Sequence, residues 1–205
     1  MADIDIIENA TDGDIAAHIE AALKRALAAG GPVAISVPGG STPFPIMQKL
    51  VAADFDWSRV TVWPGDDRVV PEGHAASNTG KIRALFEPAG ASVATLHEDA
   101  RPPHFALVWL GMGADGHIAS LFPNTDPQVD DAQVVRRLTP DPLPPEAPFD
   151  RLTLTIPALL DADALMFVIR GGDKRAVFDA AAAGESDLPV ARLLGAASQT
   201  VTCFT

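Results

Sequence analysis

The stretch Phe105-Ala-Leu-Val-Trp-Leu-Gly-Met-Gly-Ala-Asp-Gly-His-Ile-Ala-Ser-Leu-Phe-Pro123 joins an apolar run to a glycine-rich turn. Its first six residues predict a buried β-strand, which the following glycines end. The turn carries Asp115 and His117, and loops held by a rigid scaffold often carry the residues that do chemistry. Because ligands of open α/β sheets bind beyond the carboxyl ends of the strands, this stretch predicts both a fold class and a site.

Apolar runs and helical periodicity alternate along the rest of the chain. The pattern predicts an α/β fold of a modified Rossmann-like kind: a single domain over residues 1–205, with a doubly wound, mainly parallel sheet and helices on both faces. The predicted strands are Val33–Val37, Arg59–Trp63, Phe105–Leu110, Arg151–Ile156, Ala164–Ile169 and Thr200–Phe204. The predicted helices are residues 14–29, Phe44–Val51, Thr79–Phe86, Lys174–Ala183 and Pro189–Leu194, with a short one after His117.

Two segments lack such periodicity. Residues 66–78 have the composition of a polar loop. Residues 123–149 predict a long irregular connection or flap, because the prolines at 140, 142, 144, 145 and 148 forbid a regular helix or an inner strand. Loops of this length are usually functional or disordered.

The composition narrows the classes of partner. The 205 residues carry a formal net charge of -12, which argues against general binding to nucleic acid or to an anionic membrane. No apolar run reaches the roughly 20 residues that span a bilayer, and the acidic N-terminus lacks the pattern of a signal peptide. We therefore expect a cytoplasmic protein, monomeric or weakly homo-oligomeric. The lone Cys203 lies in an apolar run and is expected to be a buried hydrophobic side chain.

The first candidate binding segment is Gly39-Gly-Ser-Thr-Pro43, which lies between a predicted strand and a predicted helix. Gly39 and Gly40 let backbone amides approach an anion, Ser41 and Thr42 add hydroxyl donors, and the helix N-terminus adds unpaired N–H groups. A tight turn with a Ser/Thr cap fits the same residues. The segment matches neither a P-loop nor a dinucleotide fingerprint, so neither ATP nor NAD is indicated.

Three further candidate segments also follow predicted strands. Arg68 offers a bidentate clamp for phosphate or carboxylate with Asp66 holding it in place, or else Asp66 and Arg68 form a surface ion pair. Lys174 offers a cation, or else belongs to a solvated helix start. Asp115 either orients His117 or binds a backbone amide of the turn. No second His or Cys stands at ligand spacing, so no metal is expected. Because the loops after parallel strands share one end of a sheet, the four segments predict one cleft.

Together these residues resemble the 6-phosphogluconolactonase family. The family pattern Gly-x-Gly-x-Asp-Gly-His-x-Ala-Ser-Leu-Phe-Pro is matched in full by Gly111 to Pro123. The family pattern Asp-Glu-Arg-x-Val-Pro is matched at residues 66–71, except that Asp67 replaces the usual Glu. The remaining matches are the Gly-Gly-Ser-Thr-Pro loop at 39–43, the Ser-Asn pair at 77–78, the Arg-(Ile/Leu)-Thr-Leu-Thr strand at 151–155 and the late Gly-x-x-Lys at 171–174.

The resemblance implies hydrolysis of 6-phospho-D-glucono-1,5-lactone to 6-phospho-D-gluconate in the oxidative branch of the pentose phosphate pathway, without a cofactor. His117 would take a proton from the attacking water, and Asp115 would hold or charge-stabilise its ring. The residues expected to hold the substrate and its phosphate are Gly39, Gly40, Ser41, Thr42, Asp66, Arg68, Arg151 and Lys174.

Two other functions remain open. Glucosamine-6-phosphate deaminases share the implied fold and a Gly-His loop, but they continue with Phe-Asn-Glu-Pro, in which the Glu is catalytic. Here Ser120-Leu-Phe-Pro123 supplies no carboxylate, which favours ester hydrolysis. A non-catalytic sugar-phosphate-binding protein would keep the same loops but would leave His117 without a role.

Overall fold

The computed structural model of the protein describes residues 3–54, 56–143, 145 and 147–205. Seven parallel strands form its main sheet in the order β1-β10-β9-β6-β2-β3-β5, and three antiparallel strands form a smaller sheet in the order β4-β8-β7. The strands are β1 (Ile4–Ile7), β2 (Val33–Val37), β3 (Val60–Pro64), β4 (Asp66–Arg68), β5 (Ser92–Val93), β6 (Leu107–Leu110), β7 (Val135–Leu138), β8 (Arg151–Leu154), β9 (Ala164–Val168) and β10 (Thr200–Phe204). The helices are α1 (Asp12–Ala28), α2 (Pro43–Val51), α3 (Asn78–Phe86), α4 (Ile156–Leu160), α5 (Gly172–Ala182) and α6 (Pro189–Ala196).

The central strands are buried on both faces, which explains why their sequences are continuous apolar runs. Successive side chains of β6 enter different cores: Leu107 and Trp109 pack with residues of α1, α2 and α3, whereas Val108 and Leu110 pack with residues of α4, α5 and α6. Because successive side chains of a strand point to opposite faces, helices cover both faces of the sheet. The predicted α/β fold class is confirmed, and Cys203 is buried as expected.

The N-terminus of α1 shows how local chemistry sets an element's boundary. Thr11 accepts a hydrogen bond from the backbone N–H of Asp14, and the Asp14 carboxylate accepts one from the backbone N–H of Thr11. This capping box starts the helix at Asp12, two residues before the predicted start. Ile15, Ile19 and the residues that follow at helical spacing then bury the inner face.

The smaller sheet corrects two loop predictions. The strand β4 lies in the segment 66–78 that was expected to be a polar loop, and β7 lies in the supposedly irregular segment 123–149. Both strands are three or four residues long and carry charged side chains, so they lack the apolar signature of a buried strand. They become strands because each pairs with β8.

The short helix expected after His117 is also wrong. Ile118 instead makes antiparallel bridges with Met112 and Leu121, and Gly113 donates its N–H to the backbone oxygen of His117 at 2.9 Å. These bonds fold the segment back on itself as a tight loop. The strands β1 and β5 were not predicted, because four and two residues give too little periodicity. Pro144, inside the predicted flap, lies outside the described residues.

None of the helices in the described part of the chain combines the length and apolarity that a bilayer crossing requires.

Candidate active site

A cavity of about 330 Å³ lies beyond the carboxyl ends of β2, β6 and β9, where the predicted loops meet. Eight of the ten predicted site residues line it: Gly39, Gly40, Ser41, Thr42, Asp66, Arg68, His117 and Lys174. Further lining comes from Pro38, Pro43, Asn78, Trp109, Gly111, Met112, Gly113, Ala119 and Val168. Asp115 lies behind His117, and Arg151 lies away from the cavity wall.

The imidazole of His117 is held by Asp115. The Asp115 Oδ1 atom lies 2.6 Å from His117 Nδ1 and also accepts a hydrogen bond from the His117 backbone N–H at 3.2 Å. Both sequence interpretations of Asp115 are therefore correct, since one oxygen orients the ring and shapes the turn. A carboxylate only accepts hydrogen bonds, so this contact assigns the proton to Nδ1 and leaves the lone pair of a neutral ring on Nε2.

Gly113 makes room for this pair. A Cβ atom at residue 113 would lie far inside contact distance of His117 Nδ1 and of Asp115 Oδ1. Gly116 is constrained twice, because its φ is +77° and an added Cβ would meet Leu188 at 2.8 Å. These glycines in the motif are therefore required by the packing around the histidine and by the turn itself.

The segment Gly39–Thr42 presents backbone N–H groups that donate no hydrogen bond to any described residue. Gly40 has a φ of +94°, which lets this segment curl at the end of β2. Pro43 and Pro45 fill two of the first three positions of α2, so the helix itself contributes few N–H donors. Thr42 makes no side-chain cap, which contradicts the alternative of a Ser/Thr-capped turn. Free amides in such a loop suit an anionic ligand.

The cavity contains two cations, Arg68 and Lys174. Within the described residues, no carboxylate forms an ion pair with Arg68 or Lys174, whereas the surface residues Arg137 and Arg192 each pair with aspartates. The alternative of a surface Asp–Arg pair at Asp66 and Arg68 is therefore wrong. Lys174 stands in the first turn of α5, where the helix dipole disfavours a cation, so it does not serve the helix.

Asp66 belongs to a buried hydrogen-bond network. One carboxylate oxygen accepts a hydrogen bond from Ser120 Oγ, and the other lies 3.4 Å from Asn78 Nδ2. Asn78 Oδ1 in turn accepts a hydrogen bond from Arg68 Nη1 at 2.6 Å. Sequence reasoning did not select Asn78 or Ser120 as site residues, although both stand inside the quoted motifs.

The neighbouring Asp67 has a different task. Its carboxylate accepts hydrogen bonds from the backbone N–H groups of Asn78 and Thr79 and from Ser77 Oγ, at 2.6–3.1 Å. Ser77 caps α3, because its Oγ accepts a hydrogen bond from the N–H of Gly80. Asp67 thus satisfies the unpaired amides at the start of α3 and does not line the cavity.

Arg151 is 3% exposed, and its guanidinium donates hydrogen bonds to the backbone oxygens of Ala147 and Phe149. Burial lowers the pKa of Arg151, and the positive charge of Arg68 lowers it further. Arg68 stands opposite Arg151 in the antiparallel register of β4 and β8. The structure therefore gives Arg151 a structural task in the smaller sheet and does not bring it to the cavity.

A family model described as glucosamine-6-phosphate isomerases/6-phosphogluconolactonase matches residues 8–98 and 87–202. The chain belongs to this family. It is 37% identical to the 6-phosphogluconolactonase of Pseudomonas aeruginosa, over 89% of this chain and 86% of that protein. It is 34% identical to the 6-phosphogluconolactonase of Neisseria meningitidis serogroup A, over 96% of this chain and 94% of that protein.

Solved structures show the same fold. The 6-phosphogluconolactonase of Thermotoga maritima superposes with a TM-score of 0.82 at 22% identity, covering 100% of this chain and 99% of that one. A 6-phosphogluconolactonase of Shewanella baltica superposes with a TM-score of 0.81 at 24% identity, covering 100% and 98%. These likenesses confirm the doubly wound architecture around the cavity.

Proposed function

We propose that this protein hydrolyses 6-phospho-D-glucono-1,5-lactone to 6-phospho-D-gluconate, with His117 as the general base. One observation carries the proposal: an imidazole fixed by a carboxylate lines the same cavity as two cations that form no ion pair with any described residue. The family and the names of its relatives support a lactone as substrate. The net charge of -12 supports a small-molecule substrate rather than nucleic acid or an anionic membrane as partner.

His117 begins the reaction by accepting a proton from water on Nε2 while the water oxygen attacks C1 of the lactone. Asp115 stabilises the imidazolium that forms, because its carboxylate stays bonded to Nδ1–H. The tetrahedral intermediate then collapses, the C1–O5 bond breaks and His117 returns the proton to O5. The product is a ring-opened acid, which loses a proton to the solvent, so no cofactor or covalent intermediate is needed.

The phosphate is expected on the amides and hydroxyls of Gly39–Thr42, with Arg68 and Lys174 as counter-charges. Gly113 lines the cavity, but its N–H is already bonded to the backbone oxygen of His117. Stabilisation of the oxyanion therefore falls to other donors of the cavity wall.

His117→Ala should lower kcat for the phosphorylated lactone by roughly 100-fold to 10,000-fold, the usual worth of a general base. The measurement is the release of 6-phosphogluconate from fresh lactone in a coupled assay, corrected for spontaneous hydrolysis. His97→Ala is a matched control, because His97 is exposed and lies outside the cavity. Turnover of His117→Ala at the rate of the control would rule out the mechanism.

The deaminase alternative is tested with the same protein samples. Glucosamine 6-phosphate should yield no ammonia, because residues 118–123 contain no carboxylate beside His117. Ammonia release together with absent lactone hydrolysis would replace the proposed function.

A further inference from the structure

Asn78 is a buried side chain that bridges two charged groups of the cavity. It is 1% exposed, its Nδ2 donates to the backbone oxygen of Asp66 at 2.9 Å, and its Oδ1 accepts from Arg68 Nη1 at 2.6 Å. A Cβ at Gly39 would collide with the side-chain amide of Asn78, so the segment Gly39–Thr42 packs directly against this amide. One neutral side chain therefore contacts three parts of the candidate phosphate site.

Asp66 and Arg68 would be natural partners without this bridge. They occupy alternate positions of the same strand, so their side chains leave it on the same face, about 7 Å apart along the strand. An arginine side chain spans that distance easily. Yet the two groups form no ion pair, and the Asp66 carboxylate instead accepts hydrogen bonds from Ser120 and Asn78.

We propose that Asn78 is a positioning residue that stands between Asp66 and Arg68 and keeps the guanidinium available for the substrate phosphate. The amide satisfies Asp66 with its N–H groups and orients Arg68 with its oxygen, without cancelling the charge of either. This inference rests on the proposed function, in which Arg68 binds the phosphate. It adds a specificity role: Asn78 maintains the preference for a phosphorylated over an unphosphorylated lactone.

The side chain of Asn78 has no task in capping α3. Ser77 Oγ accepts from the N–H of Gly80, and the Asp67 carboxylate accepts from the backbone N–H groups of Asn78 and Thr79. Substitutions of the Asn78 side chain leave all of these bonds in place. The variants are therefore expected to fold, and urea unfolding monitors this directly.

Asn78→Ala should raise KM for 6-phospho-D-glucono-1,5-lactone by about 10-fold to 100-fold, the usual worth of a hydrogen bond to a charged group. kcat should change less, and kcat/KM for unphosphorylated D-glucono-1,5-lactone should stay within about threefold of wild type. Asn78→Asp has nearly the same shape but places a carboxylate against Arg68. It should lose the preference for the phosphorylated lactone at least as fully as Asn78→Ala does. Equal losses on both lactones, or a wild-type KM in Asn78→Asp, would overturn the inference.

A second substitution tests whether Asp66 captures Arg68 when the bridge is gone. In Asn78→Ala combined with Asp66→Asn, the capturing charge is absent. KM for the phosphorylated lactone should return to within about threefold of that of Asp66→Asn alone, because the two changes act on one network. Suppose instead that the KM of the double variant exceeds that of Asp66→Asn by the same factor by which the KM of Asn78→Ala exceeds that of wild type. That result would show that Asp66 does not capture Arg68.

Arg68→Ala separates failure of this inference from failure of the proposed phosphate site. If Arg68→Ala keeps the preference for the phosphorylated lactone, Arg68 does not bind the phosphate, and both proposals about this residue fall. If Arg68→Ala loses the preference and Asn78→Ala keeps it, only the role of Asn78 is wrong.

Discussion

Gly113→Ala should slow lactone hydrolysis by displacing His117 and the carboxylate of Asp115 that holds it. The backbone of Gly113 does not adopt a positive φ, so alanine is compatible with its conformation and the cost is steric. The added Cβ would lie more than about 1 Å inside the ~3.5 Å separation at which nonbonded atoms normally rest, against both His117 Nδ1 and Asp115 Oδ1. The ring and its carboxylate must therefore move by about that distance.

A displacement of about 1 Å at a reacting group can cost on the order of 100-fold in rate. We expect kcat for the phosphorylated lactone to fall by about that factor while KM changes little, because Arg68 and Lys174 are untouched. Overpacking should also lower the free energy of unfolding by about 1–3 kcal/mol, which urea titration measures. Gly73→Ala is the matched control, since an added Cβ there meets no atom within 4 Å. A kcat within threefold of that control would refute the steric reasoning.

Two further predictions concern stability. Gly195 is an exposed position of α6 where an added Cβ meets no atom within 4 Å, so Gly195→Ala should raise the free energy of unfolding by about 0.5–1 kcal/mol in urea; an unchanged value would contradict this. The pKa of His18 is lowered, chiefly because burial disfavours the charged ring and also because Arg25 is near, with Asp5 opposing. The unfolded chain therefore binds more protons than the folded one, and stability contributed by His18 falls as pH drops through about 6.5. His18→Gln should flatten the dependence of unfolding free energy on pH between about pH 7.5 and pH 5.5, and an unaltered slope would count against it.

The sequence predicted the parts of the fold that depend on neighbouring residues. The apolar runs at Val33–Val37 and Ala164–Ile169 became inner strands because burial on both faces leaves no place for polar side chains. The strands β4 and β7 were missed because they are short and charged, and only their partner β8 makes them strands. The predicted helix after His117 was wrong because bridges from Ile118 close the loop instead.

In the candidate site, too, contacts between near neighbours in sequence were predictable and contacts made by tertiary packing were not. Asp115 and His117 are two residues apart, so their contact follows from the chain itself once Gly113 clears the space. Arg151 matched a family motif, yet its guanidinium went to backbone oxygens of a nearby loop. A sequence motif therefore identifies a residue type at a position. The hydrogen-bond partners of that residue depend on which buried polar groups the fold places beside it.

By itself the sequence determined the fold class, the positions of four segments that follow strands and the histidine with its carboxylate. These features arise from periodicity and from bonds between near neighbours. Only the tertiary structure decided that Ser120 and Asp66, 54 residues apart, share a hydrogen bond and that Asn78 bonds to both Asp66 and Arg68. The reason is that a buried polar group must be satisfied by whatever the packed fold brings next to it, and sequence spacing does not encode that neighbour.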